Sequence, residues 1–283
     1  MKYTADFTIK RIELISVLII NWNEFLQPYE QAVSEITLKL ENVVAQYEMA
    51  YKHCPIEQID GRVKSVSSIL EKAMRKDVAM EEIAQKIEDI AGLRIICYFV
   101  EDIEKIVDMI KEREGFDMKI VAERDYVNNT KQSGYRSYHL IIEYDLITYK
   151  GREKIKAEIQ IRTMSMNFWA TMEHSMRYKY NGNIPEHVQQ RLTSSAEAAF
   201  QLDKEMSTIR DEIVEAEKVI LTISLTVNEI LSNLQKLYNV AEIEKVNELN
   251  REFIEIYQLN DLDKLLMFKE RIKVMADIYK VRY

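Results

Sequence analysis

Apolar residues change their period twice along the chain. From Asn21 to about Tyr51, the residues Phe25, Leu26, Tyr29, Val33, Ile36, Leu40, Val43 and Tyr47 recur at steps of three and four, the stripe of a long amphipathic helix with Pro28 near its front. A second helix is expected over Val63–Met74. The period then drops towards two: Leu93–Val100, Lys119–Val127, Tyr135–Tyr144 and Ile155–Arg162 are short, rich in β-branched and aromatic residues, and parted by turn signals such as Lys150-Gly151. They read as strands, with a helix between at Asp102–Arg113. After Arg162 no strand pattern returns, and beyond Pro185 there is neither Gly nor Pro. The fold class expected is therefore α/β (α+β), a mixed β-sheet of about four to five strands flanked by helices, with a long helical C-terminal extension.

Within that tail Leu202, Met206, Ile209, Ile213, Ala216, Ile220, Ile223, Val227, Ile230, Leu234 and Leu237 alternate steps of four and three. This is the heptad period of a seam that packs against another helix. Either a second subunit or the chain itself supplies the partner. The stripes of Ile243–Ile256 and Leu262–Tyr279, with Asn260-Asp261 placed to cap the last helix, favour a hairpin within the chain.

Composition narrows the function classes. Lys plus Arg number 39 and Asp plus Glu 47 in 283 residues, a formal charge of −8 that argues against a chain built to coat nucleic acid and leaves room for a local basic pocket. Six Gly and three Pro exclude loop-rich sandwiches and disulfide miniproteins. The two cysteines, Cys54 and Cys97, lie in unlike surroundings and read as reduced structural thiols of a cytoplasmic protein. The apolar stretch Ile15–Ile20 is far shorter than the roughly 20 residues of a membrane span, and no small-residue cleavage site follows it. No membrane partner is expected.

Candidate chemistry comes from strand directions, since residues two apart share a face. Glu158, Gln160 and Arg162 point one way, and Ala157, Ile159 and Ile161 the other; on the neighbouring strand Tyr135, Ser137 and His139 oppose Tyr138, Leu140 and Ile142. A solvated face would also be polar, so the company of these residues decides. Asp89 precedes the first strand, which carries Arg94, and a basic cluster of Arg62, Lys64, Lys72, Arg75 and Lys76 stands against Glu71 alone. Two carboxylates beside cations suit Mg²⁺-assisted phosphoryl chemistry. There is no Walker-type glycine loop, and His53, His139, His174 and His187 form no zinc-spaced cluster.

Four segments, in order, resemble the synthetase domain of the RelA/SpoT alarmone synthetases. They are Gly61-Arg62-Val63-Lys64-Ser65 with Ser68, Lys72 and Arg75; Asp89-Ile90-Ala91-Gly92-Leu93-Arg94; Ser133-Gly134-Tyr135-Arg136-Ser137-Tyr138-His139; and Glu158-Ile159-Gln160-Ile161-Arg162-Thr163. The stretch Met166–Ser175 with Tyr178-Lys179-Tyr180 is similar to the small, RelQ-like members of that family. The resemblance implies a nucleotidyltransferase-like core that moves the β,γ-pyrophosphate of ATP to the 3′-hydroxyl of GDP or GTP. Asp89 and Glu158 would hold Mg²⁺, and Glu158 would take the hydroxyl proton. Arg62 and Arg94 would sandwich adenine, while Lys64, Ser68, Lys72 and Arg75 would cradle the ATP phosphates. Tyr135 would stack on guanine, with Lys131, His139, Gln160, Arg124 and Arg162 positioning the acceptor.

Three departures and extensions qualify the match. Ser133 stands where many members have Asn, and the His-Asp dipeptide of the family's hydrolase domain is absent from the sequence. RelQ-like tetramers bind pppGpp partly through basic residues on the first long helix, whereas the matching positions here are Thr37, Glu41 and Val44, which implies weak or absent product activation, although Asn167, another position tied to that cleft, is retained. The domains expected are an N-terminal helical extension, 1–21, the synthetase domain, 22–217, and a helical C-terminal extension, 218–283. Partners expected are ATP and GDP or GTP, further copies in a tetramer, and an RNA or protein partner through the extension. The competing readings are a toxic relative that pyrophosphorylates the tRNA 3′ end and a catalytically silent nucleotide-binding scaffold.

Overall fold

The computed structural model describes residues 21–179, 184–238 and 241–281. All of the expected N-terminal extension but Asn21, with the stretch Ile15–Ile20, thus lies outside the described residues, as does Tyr180. Among the described residues no helix is long and apolar enough to cross a membrane.

Helix α1 (Trp22–Met49) starts on Asn21, whose side chain accepts the Glu24 N–H, and buries Tyr29, Ala32, Val33, Ile36 and Leu40. A strand the pattern did not announce follows, β1 (Gln58–Val63). Helix α2 (Val66–Lys76) begins three residues later than expected, because Ser65 caps it and the residues before are spent on the strand. A 3₁₀ turn (Met80–Glu82) and the short α3 (Ile83–Lys86) lead to β2 (Ala91–Cys97), α4 (Val100–Lys111), β3 (Met118–Asp125), β4 (Tyr138–Thr148) and β5 (Gly151–Thr163). Helices α5 (Met164–Lys179), α6 (Glu186–Tyr238), α7 (Ile243–Gln258) and α8 (Leu262–Val281) complete the chain.

The five strands form one sheet in the order β1-β2-β5-β4-β3, with β2 and β5 parallel and every other pair antiparallel. Alternation gives the three central strands a greasy side: Leu93, Ile95, Leu140, Ile142, Ala157, Ile159 and Ile161 join the buried residues of α1 and α4 in one core. Cys97 is buried there, its thiol bonded to the Arg162 carbonyl at 3.3 Å, and burial pushes its pKa up; both cysteines are free. The opposite, polar side of the sheet is where the candidate residues sit.

Backbone contacts divide the chain into two units, Met1–Ser207 and Thr208–Tyr283. The second has its own core, in which Ile230, Leu234 and Leu237 of α6 pack with Val246, Leu249 and Phe253 of α7 and Leu265, Phe268, Ile272 and Ala276 of α8. Asp261 caps α8 by accepting the Lys264 N–H at 3.1 Å. The expected hairpin thus covers the end of the heptad seam. Its earlier positions, among them Ile213 and Ile220, stay exposed at 54 % and 66 %. Length explains the limit: α7, with 16 residues, is about 24 Å long, enough to reach back from Leu237 only to about Ile223.

Gly61 is where β1 meets α1. A Cβ there would fall 2.5 Å from Val33 Cγ1 and 2.9 Å from Thr37 Oγ1, whereas at Gly92 the nearest atom would be 3.8 Å away. Gly61→Ala should therefore destabilise the protein by about 1–3 kcal/mol in urea titration, and Gly92→Ala by clearly less. Equal effects would contradict this packing.

Candidate active site

Register across the sheet explains why residues so far apart in sequence meet. Asp60 pairs with Arg94, Arg94 with Gln160, Gln160 with His139, and His139 with Arg124, one crosswise row over all five strands. The adjacent row runs Arg62, Gly92, Glu158, Ile141 and Ala122. A register shift between Ile120 and Ala122 brings Arg124 opposite His139. Gly92 puts no side chain beside Glu158. That opening is a cavity of about 150 Å³ lined by Asp60, Gly61, Arg62, Asp89, Gly92, Leu93, Arg94, Glu158 and Gln160.

Asp89 closes one end. Its Oδ2 accepts from Lys64 and Lys72, each at 2.7 Å, so two residues of the basic cluster converge on the carboxylate. Burial alone would raise its pKa, but the two ammonium groups outweigh that and hold it below the usual aspartate range. Ser68, Lys72 and Arg75 lie at i, i+4 and i+7 on α2, one stripe of the helix. Arg75 is exposed, and Ser68 Oγ bonds Ser65 Oγ at 2.9 Å.

Glu158 closes the other end within a closed hydrogen-bond circuit. Arg162 Nη2 donates to Tyr135 Oη at 2.5 Å and to Gln160 Oε1 at 2.6 Å. Tyr135 Oη lies 2.9 Å from His139 Nε2, and His139 Nδ1 3.1 Å from Glu158 Oε1, while Gln160 Nε2 donates to Glu158 Oε2 at 2.7 Å. Two bridges therefore join one guanidinium to both oxygens of one carboxylate. Burial raises the Glu158 pKa less than His139 and Gln160 lower it, so the group is held ionised.

Cations dominate what remains. Burial lowers the Arg94 pKa, and the neighbouring Arg162 and Arg62 lower it further; Arg94 Nε is buried with no hydrogen-bond partner. Lys131 is lowered by burial and by Arg124, Arg162 and Lys72, with Glu158 opposing. It lies 4.8 Å from the Tyr135 ring centroid and 4.1 Å from that of Tyr126. A pocket whose cations depress one another is short of negative charge, the condition an anionic ligand relieves.

The structure thus gathers Asp89, Glu158, Arg62, Arg94, Lys64, Lys72, Lys131, Tyr135, His139, Gln160 and Arg162 around one face. Arg124 stands at its edge, paired with Glu88 at 2.7 Å, and Ser68 and Arg75 lie along α2. Tyr126, not anticipated, meets His139 edge-on at 5.2 Å and Tyr135 at 6.2 Å. The pattern places it inside a strand expected over Lys119–Val127, but β3 ends at Asp125 and Tyr126 turns into the corner just past it. A divalent cation fits the donor set: Asp89 Oδ1 is buried without a hydrogen-bond partner beside a second carboxylate. Among the described residues no three His, Cys, Asp or Glu side chains gather to hold a metal. Two carboxylates with further ligands from phosphate and water is how Mg²⁺ is usually held.

Comparison with known proteins agrees. A family model described as a region found in RelA/SpoT proteins matches residues 61–183. The GTP pyrophosphokinase YjbM of Bacillus subtilis (strain 168) is 53 % identical over 196 residues, 69 % of this chain and 92 % of that protein. The chain belongs to the RelA/SpoT family. It stands among that family's small alarmone synthetases. The crystal structure of small alarmone synthetase 1 from Bacillus subtilis bound to its product pppGpp matches with a TM-score of 0.66 at 52 % identity, covering 68 % of this chain and 98 % of that one. The same synthetase bound to AMPCPP matches with a TM-score of 0.60 at 49 % identity over 69 % of this chain and 98 % of that one.

Because the Asp89 pKa is lower folded than unfolded, its contribution to stability is complete above the unfolded value, about 3.9, and is lost as pH falls through the folded one. Urea titrations of wild type and Asp89→Asn should differ by a constant amount between pH 7 and about pH 5, and by less near pH 3.5. A gap independent of pH would contradict the double lysine pairing.

Proposed function

We propose that this synthetase transfers the β,γ-pyrophosphate of ATP to the 3′-hydroxyl of GDP or GTP, giving ppGpp or pppGpp and AMP. The observation that carries this reading is the cavity shared by Asp89, Glu158, Arg62 and Arg94, with the Tyr135–Lys131 corner joined to it through the Glu158 circuit. Arg62 and Arg94 offer flat guanidinium faces to adenine, which lysine lacks. Lys64, Ser68, Lys72 and Arg75 take the triphosphate, and Tyr135 stacks on guanine while Lys131, His139, Gln160, Arg124 and Arg162 orient the acceptor.

Asp89 and Glu158 would hold Mg²⁺, which would supply charge neutralisation to the phosphates. The chain's own residues do the rest. Lys64 and Lys72, now on Asp89, are within reach of phosphate oxygens at the same place. Glu158 accepts the 3′-hydroxyl proton, and the bond from His139 Nδ1 keeps its carboxylate aimed. Ordered side chains on a rigid sheet lower the reorganisation that attack requires.

The synthetase domain spans 22–217, and residues 218–283 form an extension that offers a surface to a further protein or RNA. The protein acts in the cytoplasm, and its copies assemble as a tetramer. Supporting weak activation by pppGpp, Thr37 and Glu41 line a groove along α1 that also holds Glu30, and Val44 packs against the core. Two carboxylates against the single guanidinium of Arg62 in that groove disfavour a polyanion.

With γ-labelled ATP, Mg²⁺ and GDP, GTP or deacylated tRNA, label should appear in ppGpp or pppGpp on thin-layer plates, and Glu158→Gln should lower the rate by about 100-fold or more. Label confined to tRNA, or no transfer at all, would overturn the reading. Added pppGpp should raise the initial rate by less than the roughly 5-fold typical of allosteric effectors; a larger rise would overturn the assignment of the α1 groove.

A further inference from the structure

The segment between β3 and β4 carries Lys131 and Tyr135, and one of its side chains faces away from the cavity. Arg136 follows Tyr135 and points to the other side of the backbone. Its Nη2 donates to Glu197 Oε2 of α6 at 2.5 Å, its Nη1 donates to Thr130 Oγ1 of the same segment, and its guanidinium lies 4.1 Å from the centroid of the Phe200 ring. The Arg136 side chain is 11 % exposed although Glu197 is 54 % exposed, so the fork is sunk between the segment and the helix.

The neighbouring contacts converge on the same helix. Gly134 has φ +86°, and a Cβ there would stand 2.6 Å from Ala196 Cβ. Thr193 Oγ1 donates to the Ser133 carbonyl at 3.4 Å. The Trp169 indole nitrogen, from α5, donates to the Leu192 carbonyl at 3.0 Å and braces this stretch of α6. The backbone at residues 133–136 is therefore held from both sides, Tyr135 by Arg162 and His139 on the cavity side, Arg136 by Glu197 and Phe200 on the helix side.

We infer that Arg136 is a positioning residue for the acceptor nucleotide, stapling the Lys131–Tyr135 segment to α6 so that Tyr135 meets the guanine at fixed depth. The inference deepens the proposed function and rests on Tyr135 being the acceptor platform. A planar fork with donors in two directions and a face for an aromatic ring makes all three contacts at once; an ammonium does not. The donor side, built on α2, β1 and β2, lacks this staple, so the effect of losing it is confined to one substrate.

The test compares wild type, Arg136→Lys and Glu197→Gln, with Arg136→Ala added if it melts like wild type. In steady-state transfer, Arg136→Lys should raise KM for GDP and GTP about 10-fold, with Glu197→Gln intermediate, while KM for ATP changes by less than about twofold and kcat little. Hydrogen exchange, read without turnover, should quicken at residues 127–135 and stay unchanged across α2. Equal changes in both KM values, a fall in kcat alone, or unaltered exchange at 127–135 would overturn the inference. Were wild type to bind no GDP in direct titration, the acceptor reading itself would fall, and exchange at 127–135 would still decide whether Arg136 holds the segment.

Discussion

Everything at this site depends on the pairing register of β5. Flanked by β2 on one side and β4 on the other, it contributes Glu158, Gln160 and Arg162 to one face and Ala157, Ile159 and Ile161 to the core. A slip of one residue would turn a carboxylate, an amide and a guanidinium into the apolar core, away from their partners, and three apolar side chains onto the polar face, which costs far more than breaking any one hydrogen bond of the site. Core packing under α1 and α4 thus selects the register, and the register sets the chemistry. The crosswise rows, from Asp60 to Arg124 and from Arg62 to Ala122, follow from it.

Charge is handled differently at the two ends. At Asp89 two lysines surround one carboxylate, and at Glu158 a single arginine acts through two hydrogen-bonded bridges. Both carboxylates stay ionised despite burial because charge-assisted bonds outweigh desolvation. The surplus of positive charge falls on Arg94 in the cavity and on Lys131 in the Tyr135 corner, whose pKa values are depressed. The pocket carries more positive than negative charge, the condition an anionic ligand relieves.

Helix α6 shows how one element serves two ends by different means. Near its start, small residues at Thr193 and Ala196 admit the backbone of Gly134, and Glu197 and Phe200 receive Arg136. Near its finish, Ile230, Leu234 and Leu237 are seam positions closed by α7 and α8. The heptad period is uniform along this helix, yet coverage is not, because helices of 16 and 20 residues are much shorter than one of 53.

What the chain's own pattern determined is whatever depends on neighbours a few residues apart. The stripe of α1, the alternation of β4 and β5, the Asp261 cap and the polar face bearing Glu158, Gln160 and Arg162 are local regularities that side-chain direction turns into geometry. The tertiary structure decided the rest. Gln58–Val63 became an edge strand without alternation because β2 and α1 offered Gly61 a place, and a bulge at β3 brought Arg124 opposite His139. Tyr126 entered the aromatic corner, and Arg136 found Glu197 sixty-one residues away. Such pairings join positions with no shared period, so only the folded backbone could choose among the partners their chemistry allows.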